Sequence, residues 1–110
     1  MRKVHYSGSF VLTGDRTCKA LLRYSRALAK AGLADVVSIP VVTEGGSSGY
    51  AQFLIGPASE IFSTPVPDSP DEPFDPAVIE RLELETRRLE PSRPEWSDEM
   101  VDVPDLDLEF

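Results

Sequence analysis

Five cations, Arg16, Lys19, Arg23, Arg26 and Lys30, step along the chain by three, four, three and four residues. On a helix that spacing gathers them in one arc of about 80°. No carboxylate is interleaved to relieve their mutual repulsion. Such a stripe tracks phosphates or anchors an acidic peptide. The plain alternative is a solvated face that keeps a helix soluble. The net charge of −8 argues against strong nonspecific binding to DNA by the intact chain.

A second feature is the C-terminal stretch WSDEMVDVPDLDLEF, residues 96–110. Val101, Val103, Leu106, Leu108 and Phe110 are interspersed with Asp98, Glu99, Asp102, Asp105, Asp107 and Glu109. That pattern suits an extended peptide that puts one set of side chains into pockets and the other toward cations. DLDLEF resembles the Gln-Leu-x-Leu-x-Leu/Phe peptides by which bacterial replication and repair proteins dock on the sliding clamp. Leu106, Leu108 and Phe110 match its apolar positions, and Asp105 stands where that motif has Gln. The segment is also similar to the acidic, Phe-ended tails of single-stranded-DNA-binding proteins. The plain alternative is a disordered, solubilising end.

Groups able to do covalent or acid–base chemistry are few. His5 is the only histidine and sits on a short strand without an evident partner, so a surface or hydrogen-bonded structural role is expected. Cys18 lies near the start of the expected helix, where the dipole lowers a thiol pKa, but on its apolar arc, which favours an inert buried thiol. Ser47 and Ser48 lie in EGGSSG, which lacks the Gly-Lys-Ser/Thr of a phosphate loop. The carboxylates of 67–109 have no rigid scaffold to hold a catalytic pair. One Cys with one His makes neither a disulfide nor a zinc site. No catalytic residue, metal or cofactor is expected.

These groups must be positioned by a chain of 110 residues, enough for one domain with a modest core. Apolar residues make up 41%. No apolar run approaches the ~18 residues that would suggest a membrane span. The N-terminal MRKVHYSGSF has no apolar core of a signal peptide, so a cytoplasmic address is expected. Charge is split. Residues 1–35 carry seven Lys/Arg and two Asp, a net of +5, while residues 36–110 carry four Arg and seventeen acids, a net of −13, together −8.

KVHY and SFVLT read as a hairpin turning at Ser7-Gly8, with Val4 and Tyr6 on one face and His5 on the other. Asp15 is expected to cap a helix that runs to about Ala31 and stops at Gly32. Cys18, Leu21, Leu22, Ser25, Leu28 and Ala29 form its expected core arc. Strands are expected over 35–42, 50–55 and 60–66, as a three-stranded meander. Pro40 favours an edge or a bulge in the first of them. A Pro-rich acidic connector covers 67–75. Asp75 and Pro76 start a second helix as N-cap and N1, with Ile79, Leu82, Thr86 and Leu89 on its inner face and Val78 beside them. The order β-β-α-β-β-β-α, with short hairpins, implies an α+β fold: a mostly antiparallel sheet with two helices on one face. The domain spans 1–90, and an acidic tail expected to be disordered spans 91–110.

FVLTGDRTCKALL resembles the strand–Asp-Asp-Arg-Thr–helix start of a small actinobacterial domain family of unknown function, with Thr-Gly-Asp where that family tends to have Phe-Asp-Asp. SGYAQFLIGPASEIFSTPV is similar to the family's strand–Ser-Pro-Ser–strand hairpin, and DPAVIERL falls where the family has its final helix. The resemblance covers roughly residues 3–90. Some members carry the label ATP-dependent DNA ligase. This chain has no nucleotidyl-transferase lysine motif, and the resemblance implies a fold and a DNA-repair neighbourhood without supplying a catalytic residue.

The expectation is a non-enzymatic interaction module with a basic helix and an acidic docking tail that takes a protein partner. Two alternatives stand beside it. One is a nucleic-acid-binding regulator using the basic stripe, and the other is a small enzyme using His5 or Cys18. Self-association through the Pro-marked strand edges is also left open, since edge strands invite pairing.

Overall fold

The computed structural model describes residues 1–67 and 72–90; the acidic segment 91–110, with Leu106, Leu108 and Phe110, lies outside the described residues. The chain forms β1 (Arg2–Tyr6), β2 (Ser9–Thr13), α1 (Asp15–Ala31), β3 (Asp35–Val42), β4 (Ser48–Ile55), β5 (Ile61–Pro65) and α2 (Pro76–Leu89). This is the expected element order, with all strand pairings antiparallel in one sheet.

β1 and β2 turn at Ser7-Gly8, whose φ values of 55° and 85° are those of a left-handed two-residue turn, which matches the twist of the flanking strands. Val4 is fully buried on the inner face, and His5 points to the opposite face.

The meander does not form. β4 pairs only with β3, and β5 crosses to the free edge of β1, giving the order β4-β3-β2-β1-β5. The two edge strands are nevertheless joined by only residues 56–60. In a flat sheet four strand spacings would separate them by about 19 Å, at the limit of what five residues reach. The sheet instead curls, bringing the end of β4 over β1. The Tyr6 hydroxyl donates to the Leu54 carbonyl, and the Tyr6 and Phe53 rings lie 5.2 Å apart. Alternation along 60–66 names a strand, but this long-range closure selects its partner.

Pro40 is not at an edge. It sits in β3 between β4 and β2, and it is buried. β2 pairs with β3 only at Leu12↔Val42, so Pro40 lies where β2 is already ending. Its carbonyl accepts from the Thr13 hydroxyl at 2.7 Å, on the β2 side. The amide of the same residue would face that side too, and there it has no ladder partner to lose.

α1 starts one residue earlier than expected. Gly14 is the N-cap and makes no side-chain cap bond, and Asp15 is the first helical residue. Asp15 suits the positive end of the helix dipole and lies 3.3 Å from the Met1 ammonium, which is also 3.0 Å from the Glu72 carboxylate. Gly14 is required by close approach: a Cβ there would stand 2.9 Å from the Pro73 carbonyl oxygen. Gly32 ends the helix at φ 71°, its N–H reaching Ala29 and Leu28 carbonyls.

The buried face of α1 is Thr17, Cys18, Ala20, Leu21, Tyr24, Ser25, Ala27 and Leu28. This arc is wider than expected and rotated, leaving Ala29 exposed and Leu22 half-buried. The reason is that α1 has two partners, the sheet on one side and α2 on the other. Tyr24 joins the core because its hydroxyl donates to the Asp35 carboxylate at 2.6 Å. Desolvation, then that bond, holds the Tyr24 phenol well above its usual range.

Asp75 and Pro76 open α2 as expected, with the Asp75 carboxylate accepting from the Ala77 N–H at 3.1 Å. Tyr50 of β4 donates to the same carboxylate at 2.7 Å, tying the helix start to the sheet. That bond holds the Asp75 carboxyl below the usual carboxylate range. Ile79 and Leu82 are buried, with Val78 and Leu89 packed against the core they enter.

Candidate functional site

Arg16, Lys19, Arg23, Arg26 and Lys30 are all exposed, on the arc of α1 adjoining its buried face. The helix is continuous from Asp15 to Ala31, so the row is straight and rises about 21 Å at 1.5 Å per residue. Successive cations are offset by about 4.5 or 6 Å along the axis. Among the described residues the ion pairs are Met1–Asp15, Met1–Glu72 and Arg88–Glu85, and none includes a member of the row. Asp15, the one carboxylate on α1, lies against the Met1 ammonium instead. One end of the row carries an aromatic: the Arg16 guanidinium lies 5.7 Å from the centroid of Phe74, itself more than half exposed. Tyr24 is buried, so no other ring of α1 reaches the row's surface.

A second surface is the open face of the sheet. His5 stands between Phe10 of β2 and Phe62 of β5, directly opposite each across the ladder. The His5 and Phe62 rings are stacked, with centroids 4.2 Å apart and planes at 5°. Phe10 lies 6.2 Å from His5 on the other side, with the Lys3 ammonium 4.3 Å from its centroid. The Nε2 of His5 is 3.3 Å from the Thr64 hydroxyl. This column joins residues five and fifty-seven positions apart in the chain. Only the pairing of β5 with β1 makes it, so no local pattern could reveal it.

The remaining candidate groups are scattered. Cys18 is 3% exposed within the core cluster beside Leu21 and Val4. Thr43 and Ser47 close the loop between β3 and β4 on each other, the Thr43 N–H donating to the Ser47 carbonyl at 2.9 Å, and Ser48 begins β4. Among the described residues, the cavity lined by His5, Tyr6, Phe10 and Phe62 includes neither Cys18 nor Ser47 nor Ser48. Among the described residues no group of three His, Cys, Asp or Glu side chains is placed to hold a metal ion. No helix among them is long and apolar enough to cross a membrane.

Comparison with protein-family models, with curated proteins and with solved structures gave no match.

Proposed function

We propose that the chain is a non-enzymatic interaction module whose basic α1 face takes an extended acidic polypeptide. The observation that carries this reading is the straight row Arg16, Lys19, Arg23, Arg26 and Lys30, exposed and without a carboxylate partner among the described residues. In an extended peptide, acids at every second position recur at about 6.8 Å, so four of them span about 20 Å, the length of the row. Five like charges held on one helix face repel one another, and an anionic partner relieves that repulsion.

One feature favours a peptide over a nucleic acid. Single-stranded nucleic acids gain much of their affinity by stacking on aromatic side chains, and among the described residues Phe74, at one end, is the one ring set against a cation of the row. Acidic peptide chemistry has two sources, another protein and the chain's own Asp98–Glu109 stretch.

The test is an amide NMR titration of the full chain with a polyglutamate peptide and, separately, with a single-stranded oligonucleotide of equal charge. The peptide should shift the amides of residues 16–30, and a Lys19→Glu, Arg23→Glu, Arg26→Glu variant should not respond. A response to the oligonucleotide alone would replace this reading with a nucleic-acid-binding one. A full-length variant with the acids of 98–109 changed to Asn and Gln separates the sources. If it shifts the α1 amides and binds the peptide more tightly, the chain's own tail is the resident ligand.

A further inference from the structure

Among the described residues β5 is an edge strand, hydrogen-bonded only to β1. In an antiparallel strand the N–H and C=O of one residue point to the same side, and the sides alternate. Beyond the strand the Val66 N–H donates to the Met1 carbonyl at 3.1 Å, so the even-numbered residues face β1. Phe62 and Thr64 therefore bond β1, while Ile61, Ser63 and Pro65 turn their backbone groups outward. Among the described residues no other element's backbone bonds to that outward side.

Edge strands are usually protected by charge, by a bulge or by proline. β5, IFSTP, carries no charged residue, and its proline is at the last position. On the open face its central side chain, Phe62, is 57% exposed and ends the column Phe10–His5–Phe62 at the sheet edge.

We infer that this edge docks a second copy of the chain, with two β5 strands pairing antiparallel about a two-fold axis at Phe62. The two five-stranded sheets then become one continuous sheet. In this register Ile61 of each copy exchanges both backbone hydrogen bonds with Ser63 of the other. Phe62 meets Phe62 as a non-hydrogen-bonded pair, the closer kind, with Cα atoms about 4.5 Å apart. The ring column continues across the axis. Pro65 falls opposite Ser59, outside the strand, where its missing N–H breaks no ladder bond. Glu60 falls opposite Thr64, so no like charges are set against each other.

Sliding the axis to Ser63 would set Pro65 against Ile61 and lose a bond on each side, and it would pull the two Phe62 rings apart. The occupant is a second copy because this strand meets every demand of its own edge: two outward donors, an aromatic opposite Phe62, no charge and a terminal proline. The chain's acidic 95–109 segment fits less well, since β5 itself carries no cation for its carboxylates, and Arg2 of β1, which reaches across to the strand, already donates to the Ser63 hydroxyl at 3.0 Å.

The test uses the full chain. Sedimentation equilibrium over a concentration series should show the mass rise from 12.1 kDa toward twice that value. Amide hydrogen exchange should show Ile61 and Ser63 slowing in step with the dimer fraction, while Phe62 and Thr64, already bonded to β1, stay unchanged. Phe62→Lys should remain monomeric with an unaltered circular dichroism spectrum; the exchange pattern needs no variant and stands if that substitution impairs folding. A monomer at every concentration overturns the inference. So does a dimer in which Ile61 and Ser63 exchange as fast as in the monomer. Slow exchange of both amides at monomer mass would assign the edge to a segment of the same chain and overturn it equally.

Discussion

Two threonines in one core respond in opposite directions to the same substitution. Thr13 and Thr17 are both fully buried. The Thr13 hydroxyl donates to the Pro40 carbonyl at 2.7 Å, in the gap where β2 has ended and no ladder bond reaches that carbonyl. Thr13→Val keeps the side-chain shape, removes the bond and strands a buried acceptor, which costs about 1–3 kcal/mol. The added methyl returns part of this, at about 0.8 kcal/mol per buried carbon. The Thr17 hydroxyl has no hydrogen-bond partner among the described residues. Thr17→Val removes a group already paying its desolvation cost, and Val and Thr have similar helix propensity. It should therefore be neutral or stabilise by about 1 kcal/mol. Urea unfolding of both variants measures the difference. The expected gap is about 1–3 kcal/mol, with Thr13→Val below the parent and Thr17→Val at or above it. If Thr17→Val loses as much as Thr13→Val, the assignment of one satisfied and one orphaned hydroxyl is wrong.

The Tyr50–Asp75 bond couples stability to pH at both ends of the scale. Asp75 has a lowered folded pKa, so its contribution is present above the unfolded carboxylate range and is lost as pH falls through the folded value; Asp75→Asn should flatten the acid limb of an unfolding profile. Tyr50 and Tyr24 have raised folded pKa values, so theirs is present below pH 10 and lost in strong alkali. Ultraviolet titration of the folded protein should find late-ionising tyrosine absorbance, one part of it disappearing in Tyr50→Phe and another in Tyr24→Phe. Gly14→Ala sets a methyl against the Pro73 carbonyl oxygen and should cost about 1–3 kcal/mol by thermal unfolding, whereas exposed Gly45, with nothing near its would-be Cβ, should accept alanine with little change.

Local chemistry made much of this fold legible. Ser7-Gly8 announces a left-handed turn, Gly32 a helix stop, and Asp75-Pro76 a helix start; each is a short-range steric or hydrogen-bonding demand that the residue itself meets. The cation row was legible because period 3.6 converts spacing into a face. What stayed hidden depends on contacts distant in sequence. β5 reads as a strand in isolation, yet its partner is decided by a curled sheet that brings the two ends of the ladder together. Tyr24 is missing from the expected core arc of α1 and joins the core through Asp35, which accepts its hydroxyl. The Phe10–His5–Phe62 column follows from the β5–β1 pairing, and a meander that leaves β5 beside β4 gives His5 no such partner. Proline generally avoids central strands, and Pro40 is an exception because β2 ends beside it, where no ladder bond needs its amide.

The claim that most needs testing is that the basic face of α1 is a docking site for an acidic peptide. The direct measurement is isothermal titration of the full chain with polyglutamate at low and moderate salt, alongside the Lys19→Glu, Arg23→Glu, Arg26→Glu variant. The account predicts binding that weakens as salt screens exposed charges beyond about 8 Å, and its loss in the variant. Binding that survives the three reversals, or no binding by the parent and by its tail-neutralised form alike, would contradict it.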